Sequence, residues 1–320
     1  NGLAGVDSRA HHVNTAWTWR WLSYRSVFRL AQAFQAGLLD MLAKPQGQGV
    51  TDNTGTHSCS SSTEESTPFV AVCGPNRLEW YLSDLAAATS SSPRVVTVPL
   101  RLDAASDVPL AASTLSRIAW HKGSRPGPSA GTMCHLRAVI TSPEAVEWVH
   151  DAMAAAGLPP STPVVVMDLD VGGGAGFTHA TADDPARRLV SFASLIESGS
   201  ALCQQQPMHT TSGSVGRPHS RSSSLKLFGS PRRYSHEDIF SVVFTSGSTG
   251  EPKGVPLLRE TWLSELAHYP APVLVACSYQ PLSYITDRHH VHATWWNGGR
   301  VAVLRQGSAT SGAPQPTLFE

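Results

Sequence analysis

The chain has 320 residues, of which 41% are hydrophobic, and its 24 acidic and 24 basic side chains give a formal net charge of zero. A chain of this size and composition buries enough apolar surface for one large globular domain or two modest ones. The charge balance excludes a general attraction to nucleic acid or to anionic membranes, so any anion must bind at a local site.

Cysteine usage and hydropathy bear on the compartment. The five cysteines are far apart and form no Cys-x-x-Cys pair, which favours reduced thiols over a disulfide framework or a cysteine zinc site. The chain shows no secretory signal pattern, no Asn-x-Ser/Thr sequon and no apolar run of the roughly 18 residues that a membrane span needs. We therefore expect an intracellular, cytoplasmic protein that neither spans a membrane nor binds nucleic acid.

The first predicted helix follows Ser23, a residue that suits an N-cap, and ends before Pro45. Residues 1–16 read as a polar tail. Residues 45–66 are rich in Gly, Ser and Thr without periodicity, which indicates a flexible insertion. The apolar positions that recur every three or four residues in the helix are Val27, Leu30, Phe34, Leu38 and Met41.

Strand and helix patterns alternate from Phe69 onward. Residues 69–74 predict a buried strand that turns into a helix, and a second helix is predicted over 144–156. This alternation predicts an α/β fold with mixed or parallel sheets covered by helices. Residues 200–235 interrupt it with serines, prolines and basic side chains, which indicates a second flexible insertion. Further strands are predicted at 95–100, 138–140, 164–169 and 273–278, and a short helix around 261–268.

The segment VVFTSGSTGEPKGV, residues 242–255, has the composition of a phosphate-binding loop. Glycines allow several backbone N–H groups to approach one phosphate, and hydroxyls add donors that also reach a phosphate-bound magnesium ion. A lysine supplies the positive charge that a triphosphate requires. The candidate residues are Thr245, Ser246, Gly247, Ser248, Thr249, Gly250 and Lys253, with Thr249 assigned to the metal and Lys253 to catalysis.

The loop matches neither of two other glycine-containing motifs. A P-loop, G-x-x-x-x-G-K-[ST], starts a helix at its lysine, whereas Lys253 lies between Pro252 and Gly254. The loop is therefore predicted to join two extended segments. The hydrolase elbow G-x-S-x-G fails because Ser246 stands where the first glycine is required around Ser248.

The string from Val242 to Lys253 resembles the phosphate-binding signature of the adenylate-forming (AMP-binding) superfamily, which includes acyl-CoA synthetases, luciferases and the adenylation domains of peptide synthetases and carboxylic acid reductases. The chain is most similar in character to long-chain acyl-CoA synthetases and carboxylic acid reductases. Five other segments share the resemblance: Trp21–Tyr24, Cys73–Trp80, Val96–Leu100, Tyr279–Ile285 and Asn297–Leu304.

The resemblance implies a function and a domain plan. It implies ATP-dependent activation of a fatty or aryl acid to an acyl adenylate, then transfer to CoA or a phosphopantetheine thiol. It also implies that residues 17–320 are the front portion of an adenylation domain whose C-terminal part is missing. Tyr284 replaces the histidine that usually lines the nucleotide and acyl pocket, which puts the acyl specificity in question.

Two alternatives remain beside this interpretation. The first alternative is that the chain is a truncated or degenerate relative of these enzymes, which acts as a non-catalytic binding or regulatory module. A phosphotransferase is the weaker alternative, because no general base accompanies the loop in any recognisable motif.

Three other patterns favour structural over functional roles. The run Asp287–His292 contains three histidines, but a helix would direct His289 and His290 to different faces, which favours surface or packed histidines. The glycine-rich run 172–176 lacks the third glycine of a dinucleotide loop and reads as a flexible turn. Core packing is favoured over ligand binding for Trp17, Trp19, Trp21, Trp295 and Trp296.

Overall fold

The computed structural model describes residues 21–44, 67–89, 95–119, 135–169, 188–205, 238–246, 252–269, 275–303 and 317–319. The strands are β1 (Trp21–Leu22), β2 (Phe69–Cys73), β3 (Val96–Leu100), β4 (Leu136–Thr141), β5 (Val164–Val166), β6 (Leu189–Ser191), β7 (Ile239–Ser246), β8 (Pro252–Leu258), β9 (Val275–Ser278), β10 (Arg300–Val303) and β11 (Thr317–Phe319). The helices are α1 (Tyr24–Ala43), α2 (Leu78–Thr89), α3 (Val108–Ala119), α4 (Val146–Ala155), α5 (Phe192–Gln205), α6 (Arg259–Ala267) and α7 (Ile285–Trp296).

The larger sheet has seven strands in the order β6-β5-β4-β2-β3-β7-β8. Its neighbouring strands are parallel except for β7 and β8, which form an antiparallel hairpin with β8 at the edge. Parallel strands must be covered on both faces of the sheet. The side chains of β2 accordingly point in turn to the core on one face and to the core on the other. Val70 and Val72 join a core with α1, α2 and α5, whereas Ala71 and Cys73 join a second core with α3 and α4. The predicted α/β class with mixed, helix-covered sheets is confirmed.

The smaller sheet has the order β1-β11-β10-β9 and packs on the outer side of the first core. Its buried residues Ala276, Val301 and Val303 belong to the same cluster as Val70 and Val72 of the larger sheet. The helices α1, α2, α5 and α7 contribute to this cluster, so the core lies between the two sheets. No helix within the described residues is long and apolar enough to cross a membrane.

The first predicted helix is confirmed with its cap. The Ser26 N–H donates to Ser23 Oγ at 3.2 Å, and α1 ends at Ala43, two residues before Pro45. The Tyr24 hydroxyl at its start donates to the Gly299 carbonyl, just before β10. This bond joins two of the segments that carry the family resemblance.

Some predicted boundaries differ from the structure. The strand predicted over 164–169 ends at Val166, and the strand predicted from 273 begins at Val275. The insertion predicted over 200–235 starts too early, because residues 200–205 are the last residues of α5. Six residues, SALCQQ, are too few to show helical periodicity, and α5 is supported by its packing on α1 at Leu195 and Gly199. The rest of that insertion, residues 45–66, the polar tail and the run 172–176 lie outside the described residues.

The helices α1 and α5 cross with their backbones in direct contact. A Cβ atom added to Gly199 would lie 1.8 Å from the Ala33 carbonyl oxygen, and one added to Gly37 would lie 2.0 Å from the Leu195 carbonyl oxygen. Beside this crossing, the rings of Phe34 and Phe192 stack with centroids 3.9 Å apart. Small residues at the crossing therefore set the distance between the two helices.

The substitution Gly199→Ala tests this contact, because the contact decides whether the free energy of unfolding rises or falls. Helix propensity alone would stabilise the chain by about 0.5–1 kcal/mol, whereas the backbone clash is expected to destabilise it by about 1–3 kcal/mol. Urea unfolding of the purified chain measures the difference. Glu197→Ala, at an exposed position of the same helix, is the control and should change stability by less than about 0.5 kcal/mol. A more stable Gly199→Ala protein would contradict the close crossing.

Candidate functional site

The predicted phosphate loop connects the two strands of the β7–β8 hairpin. Thr245 pairs with Lys253, and Ser246 pairs with Pro252 through the backbone. Both Thr245 and Lys253 are exposed. Because Lys253 lies in a strand and not at the start of a helix, the predicted pair of extended segments is confirmed and a P-loop is excluded. The turn itself, with Gly247, Ser248, Thr249 and Gly250, lies outside the described residues.

The hairpin has one face toward α3 and α4 and the other toward α2 and α7. Val242 and Phe244 pack into the core with α3 and α4. Ser241, Val243 and Thr245 alternate with them and therefore share the opposite face. Lys253 lies directly across from Thr245 and belongs to that same face. The two described side chains of the predicted loop thus lie on the side of the sheet that faces the smaller sheet.

Gly254 allows an aromatic ring to cover the hairpin backbone. It lies across from Phe244, and a Cβ atom there would be 3.2 Å from Phe244 Cζ and 3.1 Å from Val242 Cγ1. Contacts this short require the neighbouring side chains to shift. The glycine that follows the lysine in the predicted loop therefore has a packing role.

Tyr284 lies at the other side of the candidate site, at the N-cap position of α7. Its ring is 49% exposed, and its N–H donates to the Pro281 carbonyl at 2.9 Å. One turn into the helix, Arg288 Nη1 donates to Ser241 Oγ at 2.9 Å. This bond connects α7 to the face of β7 that carries Thr245, so the structure brings Tyr284 and the hairpin to one side of the larger sheet.

The loop that leads into α7 is held by a buried polar cluster. The Ser278 hydroxyl donates to Asp287 Oδ2 at 2.6 Å and accepts from the Tyr81 hydroxyl at 2.6 Å and from Asn76 Nδ2 at 3.0 Å. Asn76 Nδ2 also donates to the Gln280 carbonyl at 2.7 Å. Burial raises the pKa of Asp287, against the lowering effect of the Ser278 hydrogen bond. The turn after β2 therefore positions the loop that precedes Tyr284.

A buried ion pair joins α2, β7 and α7. Arg288 and Asp84 both have fully buried side chains, and the guanidinium contacts both carboxylate oxygens, with Nε 2.7 Å from Oδ2. Burial alone would raise the pKa of Asp84, but the charge of Arg288, helped by His292, holds it well below its usual range. The guanidinium carbon also lies within 6 Å of three aromatic ring centroids, those of Trp80, Phe240 and Trp262.

His292 completes this cluster. Trp262 Nε1 donates to His292 Nδ1 at 3.0 Å, and His292 Nε2 lies 3.1 Å from Asp84 Oδ2. His289 packs edge-on against Trp262, and burial lowers its pKa. His290 Nδ1 lies 3.4 Å from the Tyr269 hydroxyl. Of the two structural roles predicted for this run, surface or packed histidines, the structure shows packed ones.

The tryptophans divide between core and surface. Trp295 packs against Tyr81 and His292, as predicted. Trp296 is 53% exposed and Trp21 is 39% exposed under the guanidinium of Arg300, so the core assignment is wrong for both. Neither lies on the apolar face of its element. Trp17 and Trp19 are outside the described residues.

The sequence interpretation did not single out the buried ion pair. Asp84 carried a signal, because it is a lone charge within the apolar run of α2, Leu82 to Ala87. A charge on a buried helical face requires an oppositely charged or hydrogen-bonding partner. The sequence does not identify the partner, since Arg288 is 204 residues away.

The sequence model of the family described as "AMP-binding enzyme" matches residues 132–318, more than half of the chain. The chain belongs to the AMP-binding enzyme family. A peroxisomal acyl-CoA ligase of Penicillium brevicompactum is 25% identical to this AMP-binding chain over 300 residues, 91% of the chain and 34% of the ligase. Fatty acyl-CoA synthetase A of Dictyostelium discoideum is 40% identical over 76 residues, 22% of the chain and 11% of the synthetase. The chain thus spans about a third or less of these two curated relatives.

Solved structures share the fold of this AMP-binding chain. The adenylation domain of a carboxylic acid reductase from Segniliparus rugosus, solved with AMP and a co-purified carboxylic acid, gives a TM-score of 0.53 at 17% identity and covers 90% of this chain and 38% of its own. A luciferase-like enzyme from the mealworm Zophobas morio gives a TM-score of 0.51 at 14% identity, with 89% and 48% covered. At these identities the likeness concerns the fold alone.

The substitution Asp84→Asn is expected to destabilise the chain by about 3–5 kcal/mol, because it leaves the buried charge of Arg288 without its counter-ion. Urea unfolding at neutral pH measures the loss. Asp40→Asn is the matched control, since Asp40 pairs with Lys44 at 2.8 Å on the surface and should contribute less than about 1 kcal/mol. Equal losses in the two variants would contradict the importance of burial.

The same carboxylate predicts a dependence on pH. The pKa of Asp84 is lower in the folded chain than the unfolded value of about 3.9, so its stabilising contribution is present above that value and is lost as the pH falls toward the folded pKa. Asp84→Asn lacks this contribution. The difference in unfolding free energy between the two proteins should therefore narrow from about pH 5 to about pH 3. A constant difference across that range would argue against an ionised Asp84.

Proposed function

We propose that this chain carries the phosphate-binding part of an enzyme that uses ATP to convert a carboxylic acid to an acyl adenylate. The observation that carries the proposal is the exposed pair Thr245 and Lys253 at the end of the β7–β8 hairpin, on the same side of the sheet as Tyr284. Membership of the AMP-binding family supports the assignment of the nucleotide. The activity of the whole protein is part of this proposal, since the fold alone does not establish an activity.

In the proposed reaction, a carboxylate oxygen attacks the α-phosphorus of ATP, the bond to the β-phosphate breaks, and pyrophosphate leaves. Both reactants are anions, so positive charge and N–H donors must offset their repulsion and the charge that develops on pyrophosphate. Lys253 supplies the charge. Backbone N–H groups around Gly247 and Gly250 and the hydroxyls of Thr245, Ser246 and Ser248 would bind phosphate oxygens.

The hairpin fits the binding of a magnesium nucleotide, because its Thr245–Lys253 pair presents a hydroxyl and an ammonium group to solvent, close to a segment rich in glycines and hydroxyls. Thr249 is the residue we assign to magnesium. When bound, the ion would neutralise phosphate charge and favour departure of pyrophosphate. Lys253 would orient the same polyanion from the opposite strand, and the hydroxyl of Thr245 would add a donor beside it.

The names of the relatives support our proposal for the acid substrate and for the thiol that accepts the acyl group. Two of these are named as an acyl-CoA ligase and a fatty acyl-CoA synthetase, which supports a fatty acid and CoA; an aryl acid and a phosphopantetheine thiol are the other options. In the second step the thiol sulfur attacks the acyl carbon, and AMP leaves. The exposed ring of Tyr284 would contact the nucleotide or the acyl group, where it offers an apolar face and one hydroxyl.

Because this chain spans 34% of the Penicillium acyl-CoA ligase, we propose that the remaining part of such an enzyme acts as its partner in catalysis. The cytoplasmic location stays a prediction. Among the described residues, no feature favours the alternative of a non-catalytic module, since Thr245 and Lys253 are both exposed at the hairpin end.

Replacing Lys253 by Ala should lower the rate of adenylation about a hundredfold, because one preorganised donor is worth about 3 kcal/mol in the transition state. The measurement is ATP–pyrophosphate exchange across a panel of fatty and aryl acids, with this chain and with any longer form of the protein. Lys44→Ala, at the exposed end of α1, is the control and should exchange at the parent rate. Unaltered exchange by the Lys253→Ala protein would refute the proposed role.

A further inference from the structure

From the contacts at the base of the hairpin, we infer that Ser241 and Arg288 are positioning residues that set the angle between the phosphate-binding hairpin and α7. The inference rests on the proposed function for its catalytic meaning. Among the described residues, both make their contacts at the base of the hairpin, and Ser241 lies six positions before Gly247. Their effect on the nucleotide would be exerted through the hairpin and through the start of α7.

The hairpin leaves the parallel sheet at Ser241. Among the described residues, the ladder between β3 and β7 has the single pair Thr97 and Ser241, whereas β7 and β8 pair from Ile239 and Leu258 to Ser246 and Pro252. A two-stranded hairpin is marginally stable by itself. Its direction beyond Ser241 therefore depends on the bonds made at this root.

The Ser241 hydroxyl makes two bonds at the root, and both are buried. It donates to the Thr97 carbonyl of β3 at 3.0 Å and accepts from Arg288 Nη1 at 2.9 Å. The Thr97 hydroxyl returns a bond to the neighbouring Phe240 carbonyl at 3.3 Å. These bonds are shielded from water, because the side chains of Ser241 and Arg288 are completely buried.

Arg288 is a rigid anchor for this hydroxyl. Asp84 of α2 binds the guanidinium through both oxygens, and the rings of Trp80, Phe240 and Trp262 surround it. A planar group held on one edge by a carboxylate and enclosed by rings has a fixed orientation, so the directions of its other N–H groups are fixed too. One of these N–H groups, on Nη1, donates to the Ser241 hydroxyl.

The same arginine is tied to Tyr284. It is the fourth residue after Tyr284, and its N–H donates to the Tyr284 carbonyl at 3.4 Å in the first turn of α7. One hydrogen bond, from Arg288 to Ser241, thus couples the hairpin that carries Lys253 to the helix whose N-cap is Tyr284. The distance between the phosphate donors of the hairpin and the ring of Tyr284 would then be fixed.

The test compares Ser241→Ala with Ser83→Ala in the full 320-residue chain. Ser83 is the matched control because it is also buried and also bonds a backbone carbonyl, that of Glu79 at 2.7 Å, but within α2 and away from the hairpin. Three quantities are measured for each protein: the midpoint of urea unfolding, hydrogen exchange of residues 239–258 without nucleotide, and the Kd for ATP by calorimetry.

The expected result separates the two variants. Ser241→Ala should raise exchange in residues 239–258 and weaken ATP binding about tenfold, as expected for loss of a bond to a charged group. Ser83→Ala should lower the unfolding midpoint to a similar degree while leaving both the exchange of the hairpin and the Kd within about twofold.

Two outcomes would overturn the inference: parent-like hairpin exchange in Ser241→Ala, or equal changes in hairpin exchange in the two variants. The hydrogen exchange is measured without nucleotide and therefore judges the positioning role alone. A parent chain that fails to bind ATP would instead count against the proposed function. The two failures are thus distinguishable.

Discussion

The ion pair between Asp84 and Arg288 is the interaction on which the rest of the site depends. It is fully buried, and each partner comes from a different helix, while Nη1 of the guanidinium reaches a strand of the larger sheet. Taking two charges out of water costs several kcal/mol for each ion, and the two-point contact with Asp84 together with the bond to Ser241 offsets that cost. Three elements far apart in sequence are thereby held at one point.

From this point the two halves of the candidate site extend in different directions. The hairpin continues past the sheet toward Lys253, and α7 begins at Tyr284 on the same side. The loop before α7 is fixed by an independent polar cluster around Ser278, whose hydroxyl serves three partners. The base of the hairpin and the loop before α7 are therefore both positioned by buried polar contacts.

Local sequence patterns predicted most helices and strands, but they did not predict contacts between residues that are distant in sequence. The cap at Ser23, the strand at Phe69 and the hairpin around Lys253 depend on neighbouring residues, and all three were predictable. The helix α5 was missed, and the exposed Trp296 was assigned to the core. Those outcomes depend on tertiary packing: α5 is supported by its contact with α1, and a tryptophan pattern does not tell which face of α7 is covered.

The candidate site shows the same division. The composition of the loop predicts its phosphate-binding residues, because glycine, hydroxyl and lysine chemistry is local, and that assignment stays a prediction. The partnership of Asp84, Ser241 and Arg288 joins residues more than 40 positions apart, and no spacing in one sequence reports it.

The position of β8 at the rim of the larger sheet has a consequence for solubility. An unpaired rim strand invites pairing with a strand of another molecule, which leads to aggregation. Two of the seven residues of β8, Pro252 and Pro256, have no N–H to offer, and Lys253 adds a charge between them. The prolines and lysine that frame the proposed phosphate-binding turn thus also discourage self-association, so that an exposed hairpin does not become a template for fibres.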